Sequence, residues 1–194
     1  MKPLKVVIAD DEAVIRMDLK EILEGAGHEV VGETANGRRA VAIVRETSPD
    51  LVIMDIKMPD MDGVEAARLI AADHLAPVLL LTAFDDAELI ERAKDAGVLA
   101  YLVKPVEEKN LFPAMEIALS RWQEMQSLEE ELFAMRDSLE TRKLLDRAKG
   151  ILMQAHSISE AEAYRRMQRY RREQRLSLKE VAAAGVKAGT KKKK

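Results

Sequence analysis

The sequence contains no cysteine among its 194 residues, and aromatic side chains make up only 4% of it. The absence of cysteine excludes disulfide frameworks, thiolate zinc sites and cysteine nucleophiles. The low aromatic content argues against a single-strand binding platform of stacked rings. No apolar run reaches the roughly 18 residues that a membrane span needs. Three scattered histidines also make a histidine-built metal site an unattractive hypothesis.

The N-terminal segment is apolar only as far as Asp10. This is too short for a signal peptide, so we expect a soluble, cytoplasmic protein without membrane contact. Hydrophobic residues make up 47% of the chain and charged residues 34%, which is an ordinary soluble mixture. The length predicts one large domain or two small ones.

A net charge of −3 conceals an uneven distribution of charge along the chain. Residues 1–140 carry 15 Lys and Arg against 29 Asp and Glu, whereas residues 141–194 carry 16 against 5. The lysine tail at 191–194 adds to the positive charge of the C-terminal part, but residues 141–190 are positively charged without it. Such asymmetry indicates different partners for the two parts, although solvated helical surfaces alone also produce charge runs.

Short apolar runs alternate with helical patterns over the first half of the chain. The runs read as buried parallel strands and cover Leu4–Ala9, Glu29–Gly32, Leu51–Met54, Val78–Leu81 and Leu99–Val103. The helical patterns centre on Ile15–Leu23, Ala40–Val44, Leu69–Ile70 and Leu89–Ala93. Five strand–helix units predict an α/β, flavodoxin-like, doubly wound five-stranded parallel sheet.

Polar residues follow the predicted strands at the points where ligands bind in such sheets. They are Asp10, Asp11, Asp55, Thr82 and Lys104. Taken singly, a strand-end Asp is commonly a helix cap and a strand-end Lys is usually solvated. Together, carboxylates crowded at one edge favour a hard cation such as Mg²⁺. Cation, lysine and hydroxyl would neutralise charge on a phosphoryl group.

Four motifs in order carry a specific family resemblance. They are ADD at Ala9–Asp11, MDIKMPDMDG at Met54–Gly63, TA at Thr82–Ala83 and KP at Lys104–Pro105. Residues 1–120 resemble the receiver domain of two-component response regulators. The resemblance implies a phosphoprotein whose partner is a sensor histidine kinase.

The resemblance also implies roles for the acidic residues. Asp55 would be the phosphoacceptor, and Asp10 and Asp11 would hold Mg²⁺ together with Asp55 and the backbone carbonyl of Lys57. A dehalogenase-type phosphatase also uses a strand-end Asp, but it needs a second Asp two residues later. Lys57 occupies that position here, so we expect a switch rather than an enzyme and assign no catalytic residues.

Three further positions receive implied roles in sensing the phosphoryl group. Lys104 would contact its oxygens, and Thr82 would hydrogen-bond it. Tyr101 would turn inward as the Thr82 side chain moves. The Lys104–Pro105 peptide bond is expected to be cis, which proline permits at small cost.

Residues 121–140 read as a helical, coiled-coil-like linker. No glycine occurs between Glu107 and Gly150, and good helix formers dominate. Leu128, Leu132, Met135 and Leu139 follow coiled-coil spacing, which predicts a homodimer through this helix. The alternative, a helix packed on its own receiver, explains the earlier apolar residues but leaves this stripe uncovered.

Residues 141–190 predict a small all-α domain of three helices, at about 141–154, 160–174 and 178–188. Ser159 with Glu162, and Ser177 with Glu180, form capping boxes at two helix starts. We expect the third helix to be short and to dissolve into Ala184–Gly189. A bundle of this size would lean on the long helix or on a partner.

The same region resembles the ANTAR family, the RNA-binding output of AmiR- and NasR-type transcription antiterminators. The resemblance rests on Arg142–Tyr170 and Leu176–Ala182, with its core at Ala148–Met153 and Glu162–Tyr164. It implies binding to paired RNA stem-loops in leader transcripts and thus transcription regulation by antitermination. The sequence departs from the family at Arg169–Arg172, where many members carry Ala-Met.

Basic and aromatic side chains of this region are the candidate RNA contacts. The basic residues among them could contact phosphates, Lys149 and Gly150 could let the RNA backbone approach closely, and a tyrosine could stack on a base. The candidates are Arg147, Lys149, Gly150, Tyr164, Arg165, Arg166, Arg169 and Arg172. Either Tyr164 or Tyr170 would stack on an unpaired base, although Tyr164 equally suits the bundle core. Gly150 alternatively marks a point where a partner packs.

Two other functions remain open at this point. A DNA-binding response regulator is the first, although no helix-turn-helix with a short glycine turn is evident. The second is a protein-interaction module whose basic helices bind an acidic partner or the acidic receiver. Salt-sensitive compaction without nucleic acid would indicate the latter.

Overall fold

A computed structural model of the chain describes residues 2–83, 92 and 96–191. Five strands are present: β1 (Lys5–Ala9), β2 (Glu29–Thr34), β3 (Leu51–Asp55), β4 (Val78–Thr82) and β5 (Ala100–Val103). The helices are α1 (Ala13–Gly25), α2 (Gly37–Thr47), α3 (Gly63–Ala72), α4 (Glu108–His156), α5 (Glu160–Gln174) and α6 (Leu178–Lys191). The helix predicted around Leu89–Ala93 lies outside the described residues except for Arg92.

The five strands form one parallel sheet in the order β2-β1-β3-β4-β5. All five predicted strands are confirmed, with ends that differ from the prediction by one or two residues. The predicted flavodoxin-like topology is confirmed as well. The strand order reverses direction between β1 and β3. Their carboxyl ends therefore flank the topological switch point, where such sheets bind ligands.

The sheet is buried on both faces by two separate clusters of apolar side chains. Val7 and Ala9 face one cluster, which includes residues of α2 and α3. Val6 and Ile8 face the other, which includes residues of α1 and of the start of α4. Alternate residues of β1 thus enter opposite cores, which explains why the strand sequence is continuously hydrophobic.

Side-chain caps set the starts of α2 and α3. The side chain of Asn36 accepts a hydrogen bond from Arg39 N at the start of α2, and that of Asp62 accepts one from Glu65 N at the start of α3. Such caps satisfy amide groups that have no partner within the helix. The Asp62 cap fixes α3 directly after the loop that follows Asp55.

The chain divides into two compact units, Met1–Gln126 and Ser127–Lys194. Helix α4 contributes residues to both, which confirms the long helix expected in the middle of the chain. No helix of the described residues combines the length and apolar composition that a bilayer crossing requires.

The second unit is built from the end of α4 together with α5 and α6. Its core consists of Ala148, Met167, Val181 and Ala182. At the start of α5, the Ser159 hydroxyl accepts a hydrogen bond from Glu162 N. At the start of α6, Ser177 and Glu180 form the reciprocal capping box.

The predicted end of the third helix is wrong. Instead of dissolving at Ala184–Gly189, α6 continues to Lys191. Alanine has the highest helix propensity, which favours continuation through this alanine-rich segment. Gly185 is accommodated because a Cβ at this position would lie 3.4 Å from the Cβ of Ala148, so a small residue suits this helix crossing.

Candidate functional site

Three acidic side chains meet at the carboxyl edge of the sheet. Asp10 and Asp11 follow β1, and Asp55 ends β3. Each offers a carboxylate oxygen within 4.8 Å of the others. Asp10 and Asp55 are buried, whereas Asp11 is exposed. Neighbouring parallel strands thus bring residues 44 or more positions apart into one pocket.

Lys104, directly after β5, completes this pocket. Its Nζ lies 2.8 Å from Asp10 Oδ2 and 2.8 Å from Asp55 Oδ1, and its side chain is only 17% exposed. Burial by itself lowers the pKa of Lys104, but its hydrogen bonds to Asp10 and Asp55 outweigh this effect and the pKa is raised. Lys104 therefore stays a cation between the two carboxylates.

Asp55 is buried at the end of β3, with both carboxylate oxygens contacted. Lys57 N donates a hydrogen bond of 2.9 Å to Oδ2, and Lys104 contacts Oδ1. Burial raises the pKa of Asp55 above its ordinary value, and the Lys104 ammonium opposes this rise without cancelling it. The side chain is held in a fixed orientation at the mouth of the pocket.

The acidic pocket has the charge and donor atoms that suit a divalent cation. Three carboxylates surround the ammonium of Lys104, so negative charge is in excess. Asp10 Oδ2 is fully buried, and the partner that the described residues give it is the Lys104 ammonium at 2.8 Å. An oxygen-only donor set of this kind matches the preference of Mg²⁺.

Thr82 and Tyr101 lie on strands beside the pocket but differ in exposure. Thr82 is buried, and its hydroxyl donates a hydrogen bond of 3.1 Å to the Ala83 carbonyl. Together with Asp55 and Lys104 it lines a cavity of about 280 Å³. Tyr101 is about half exposed. The Lys104–Pro105 peptide bond is cis, as predicted.

Gly63 permits the close approach of α3 to the loop that follows Asp55. A Cβ on Gly63 would overlap the carbonyl oxygen of Asp55, while Gly63 N donates a hydrogen bond of 2.8 Å to the Ile56 carbonyl. Gly63 ends the sequence motif at Met54–Gly63, but the motif alone indicates no role for it. Its requirement is steric and becomes visible only when the loop and helix are placed together.

Two other residues at the pocket were not anticipated. Glu12 N donates to Asp10 Oδ1, and its carboxylate lies 3.6 Å from Lys104 Nζ. Arg16 donates hydrogen bonds to the carbonyls of Asp10 and Asp11 at 2.6 and 3.3 Å. The acidic run Asp10–Glu12 was the available signal for Glu12, whereas no spacing rule predicts the Arg16 contact.

Helix α5 carries a line of arginines on the side opposite its core. Ala163 and Met167 are buried, whereas Arg165, Arg169 and Arg172 are exposed. The spacing of four and three residues places these arginines above one another along the helix. Three of the predicted RNA contacts therefore form one cationic stripe, which we call the α5 stripe.

A second line of residues runs along α4. Its residues are spaced by four, three and four positions and are the exposed Lys143, Arg147 and Gln154 and the partly buried Gly150. A Cβ added to Gly150 would meet nothing within 4 Å. Lys143 was missed by sequence reasoning, although its spacing from Arg147 was the available signal. We call this line the α4 stripe.

The other predicted RNA contacts have partners within the unit. Lys149 Nζ lies 2.8 Å from Asp146 and 2.6 Å from Glu160, and its hydrogen bonds to these carboxylates raise its pKa. Arg166 lies 3.6 Å from Glu162, as does Arg165 of the α5 stripe. The Tyr164 hydroxyl accepts a hydrogen bond from Gln168 at 2.8 Å, and its ring is partly exposed rather than central to the core.

Two protein families match the chain. The response regulator receiver domain matches residues 6–116, and the ANTAR domain matches residues 134–184. The transcriptional regulatory protein PdtaR of Mycobacterium tuberculosis is 49% identical over 180 residues, which cover 93% of this chain and 88% of that protein. Similarity thus extends across both units.

Solved structures similar to the chain cover its first unit. The receiver domain of a modulated diguanylate cyclase from Desulfovibrio desulfuricans G20 has a TM-score of 0.59 and 32% identity, covering 63% of this chain and 98% of that one. A CheX–CheY–BeF3–Mg²⁺ complex from Borrelia burgdorferi has a TM-score of 0.54 and 25% identity, covering 62% and 90%.

Proposed function

The chain belongs to the response regulators in which a receiver domain is followed by an ANTAR domain, and on this basis we propose that it is a phosphorylation-controlled, RNA-binding antiterminator. A sensor histidine kinase supplies the phosphoryl group to Asp55. The observation that carries this assignment is the Asp55 carboxylate 2.8 Å from the Lys104 ammonium, within a cluster of three carboxylates. Its target is a stem-loop in a leader transcript, so it acts in the cytoplasm.

Phosphoryl transfer uses Asp55 as the accepting nucleophile. Its carboxylate oxygen forms a bond to phosphorus as the bond between phosphorus and the donor breaks. Lys104, already a cation in the pocket, contacts the phosphoryl oxygens. Thr82 donates its hydroxyl to the new group once it leaves the Ala83 carbonyl, and Tyr101 turns inward into the space that Thr82 vacates. The chain acts as a switch and turns over no substrate.

We assign Mg²⁺ to the carboxylates of Asp10, Asp11 and Asp55 and the backbone carbonyl of Lys57. When bound, the ion neutralises charge on the transferring phosphoryl group. The excess negative charge of the pocket and the fully buried Asp10 Oδ2, whose partner among the described residues is Lys104, support this site. The Mg²⁺ named in the similar Borrelia burgdorferi complex supports it as well.

RNA binding is assigned to the two cationic stripes of the second unit. Arg165, Arg169 and Arg172 of the α5 stripe contact phosphates, and so does Arg147 of the α4 stripe. The absence of a side chain at Gly150 lets the RNA backbone approach α4 closely. The exposure of these arginines is the main support, because a phosphate can reach them from solvent, and Arg165 has only a long contact of 3.6 Å with Glu162.

The remaining candidate contacts reach RNA at the cost of an internal partner. Lys149 binds a phosphate only by exchanging Asp146 or Glu160 for it, and Arg166 is held loosely enough by Glu162 to do so. Tyr164 stacks on a base with the exposed part of its ring while keeping its contact with Gln168.

A homodimer through α4 brings two such surfaces together for paired stem-loops. Leu128, Leu132, Met135 and Leu139 are each more than half exposed, and their spacing suits a coiled coil. Exposed apolar stripes of this kind commonly mark an interface. Sedimentation should show self-association at tens of micromolar; a strict monomer with and without phosphorylation would contradict the dimer.

The phosphoacceptor is tested by labelling with acetyl phosphate and Mg²⁺. Wild-type protein should become labelled, and Asp55→Asn should not, because the amide lacks the nucleophilic carboxylate. Asp50→Asn, which changes another Asp of the first unit, serves as the control and should label normally. Labelling of Asp55→Asn at the wild-type level would remove Asp55 from its role.

The output function is tested by titrating the full chain with a stem-loop RNA and with duplex DNA of equal length, at two salt concentrations. We expect preference for the RNA, with affinity that falls as salt rises. Preference for duplex DNA would favour a DNA-binding regulator. Binding to neither, with salt-sensitive compaction of the protein alone, would favour a protein-interaction module.

A further inference from the structure

An open, apolar groove of about 420 Å³ lies within the second unit. Its walls are formed by all three helices of the unit: Ala148 and Leu152 of α4, Met167 and Tyr170 of α5, and Ala184 and Ala188 of α6. The volume falls within the range of sites that take small ligands. The groove therefore has room for a flat molecular fragment rather than a single water.

Small side chains on α6 create the groove. Ala184, Gly185 and Ala188 line it and fill little space, while Val181 and Ala182 one turn earlier are buried in the core. Ala184 and Ala188 are exposed. Because these two positions lie at the surface, longer side chains there would fill the groove without disturbing the core.

The rim of the groove combines a cation with an aromatic ring. Arg166 and Tyr170 lie one turn apart on α5 and both line it. The Tyr170 ring is about half exposed, and its hydroxyl has no hydrogen-bond partner in the described part of the chain. Tyr164 differs, because its hydroxyl is bonded to Gln168 and it does not line the groove.

The charge around the groove restricts its occupant. The α5 stripe and Arg166 make this helix strongly cationic, whereas the groove floor is apolar. A partner must therefore present an apolar, flat group attached to negative charge. A nucleotide has this combination, with a base that stacks on aromatic rings and a phosphate that pairs with arginine.

We propose that the groove receives one unpaired nucleobase from the loop of an RNA hairpin. The base stacks against Tyr170 above the apolar floor, and the adjoining phosphate contacts Arg166. This inference rests on the proposed RNA-binding function and deepens it, because it assigns recognition of the loop to the groove and leaves the stem phosphates to the two stripes.

Groove-filling variants of the full chain test this assignment. Ala184→Leu and Ala188→Leu place a larger side chain in the groove, and Ala134→Leu makes the same change at an exposed position of α4 outside it. Each is titrated with a hairpin RNA and with a blunt RNA duplex of the same stem. Circular dichroism and sedimentation verify folding and oligomeric state.

We expect the two groove variants to lose about tenfold or more in hairpin affinity, as for one stacked base, with duplex affinity unchanged. Ala134→Leu should bind like the wild type. Tyr170→Phe should retain hairpin affinity and Tyr170→Leu should lose it, because only phenylalanine preserves the stacking ring.

Three results would overturn the inference. Hairpin affinity that is unchanged in the folded groove variants would refute the base site while leaving the RNA-binding function intact. A change of oligomeric state in these variants, with hairpin affinity unchanged per assembled protein, would show that the groove is an interface between copies. Failure of the wild type to bind any RNA would refute both the inference and the proposed function.

Discussion

Lys104 Nζ lies 2.8 Å from Asp55 Oδ1, although strand β4 lies between β3, which ends at Asp55, and β5, which Lys104 follows. Lys104 follows β5 and reaches over the end of β4 to the carboxylate at the end of β3. The ion pair therefore depends on the order of the strands and not only on their sequences. It joins the carboxylate at the end of β3 to the residue that follows β5, the strand on which Tyr101 lies.

Removal of the exposed carboxylate of the pocket should weaken Mg²⁺ binding. Asp11→Asn is expected to lower the Mg²⁺ affinity about tenfold or more, because a hard divalent cation prefers charged oxygen ligands. Calorimetric titration of the full chain with Mg²⁺ measures this. Asp18→Asn removes an exposed carboxylate from α1 and is the matched control. Equal affinities for the two variants would contradict the assigned site.

Adding a methyl group to Gly63 should distort the loop that follows Asp55. A Cβ there would overlap the Asp55 carbonyl oxygen, so Gly63→Ala is expected to destabilise the first unit by about 1–3 kcal/mol. Acetyl phosphate labelling should slow in the same variant. Gly25→Ala adds a methyl where nothing lies within 4 Å and should be tolerated. Denaturant unfolding that shows no difference between the variants would contradict the steric requirement.

The fold and the pocket follow from local patterns that sequence reasoning can use. The five buried strands have continuous apolar sequences because both faces of the sheet are covered. Once parallel strands are assumed, residues at their carboxyl ends, such as Asp10 and Lys104, must lie at one edge. Their spatial clustering was therefore predictable without knowledge of any contact.

Features that depend on contacts between helices were not predictable in the same way. The continuation of α6 past Gly185 depends on the small space beside Ala148, and the ion pairs of Lys149 depend on where α4 and α5 meet. The groove at Tyr170 results from three helices whose separations no residue spacing encodes. Local patterns specify which face of a helix is buried, but not what lies opposite it.

Replacing Gly150 should have opposite effects on the stability of the second unit and on its affinity for RNA. Because a Cβ there meets nothing within 4 Å, Gly150→Ala is expected to stabilise the second unit by about 0.5–1 kcal/mol through the higher helix propensity of alanine. The affinity for stem-loop RNA should nevertheless fall, since the methyl group would hold the RNA backbone away from α4. Thermal unfolding and RNA titration measure the two effects. If Gly150→Ala increased both the stability of the second unit and its affinity for RNA, this would contradict the close approach of the RNA backbone to α4.

His28 should make the stability of the first unit sensitive to mild acid. Its side chain is buried beside Phe112, with ring centroids 5.9 Å apart, and Nδ1 accepts a hydrogen bond of 3.2 Å from Leu4 N. Burial lowers the pKa of His28 in the folded protein. Below about pH 6.5 the unfolded chain binds a proton that the native chain excludes, so stability should fall as the pH decreases through this range.

His28→Asn tests this assignment because asparagine keeps an acceptor for Leu4 N but does not titrate near neutrality. The decrease in Tm between about pH 7.5 and about pH 5.5 should be smaller in the variant than in the wild type. His156→Asn, which removes an exposed histidine of the second unit, should retain the wild-type decrease. An identical decrease in all three proteins would assign the acid sensitivity to other groups.

The most direct test of the account is the coupling between Asp55 and RNA. Affinity of the full chain for a stem-loop RNA should be measured before and after treatment with acetyl phosphate and Mg²⁺, in wild type and in Asp55→Asn. We predict that treatment strengthens binding by the wild type about tenfold, a coupling free energy of about 1.4 kcal/mol, and leaves Asp55→Asn unchanged. An unchanged wild-type affinity, or an equal increase in Asp55→Asn, would contradict control of RNA binding through this carboxylate.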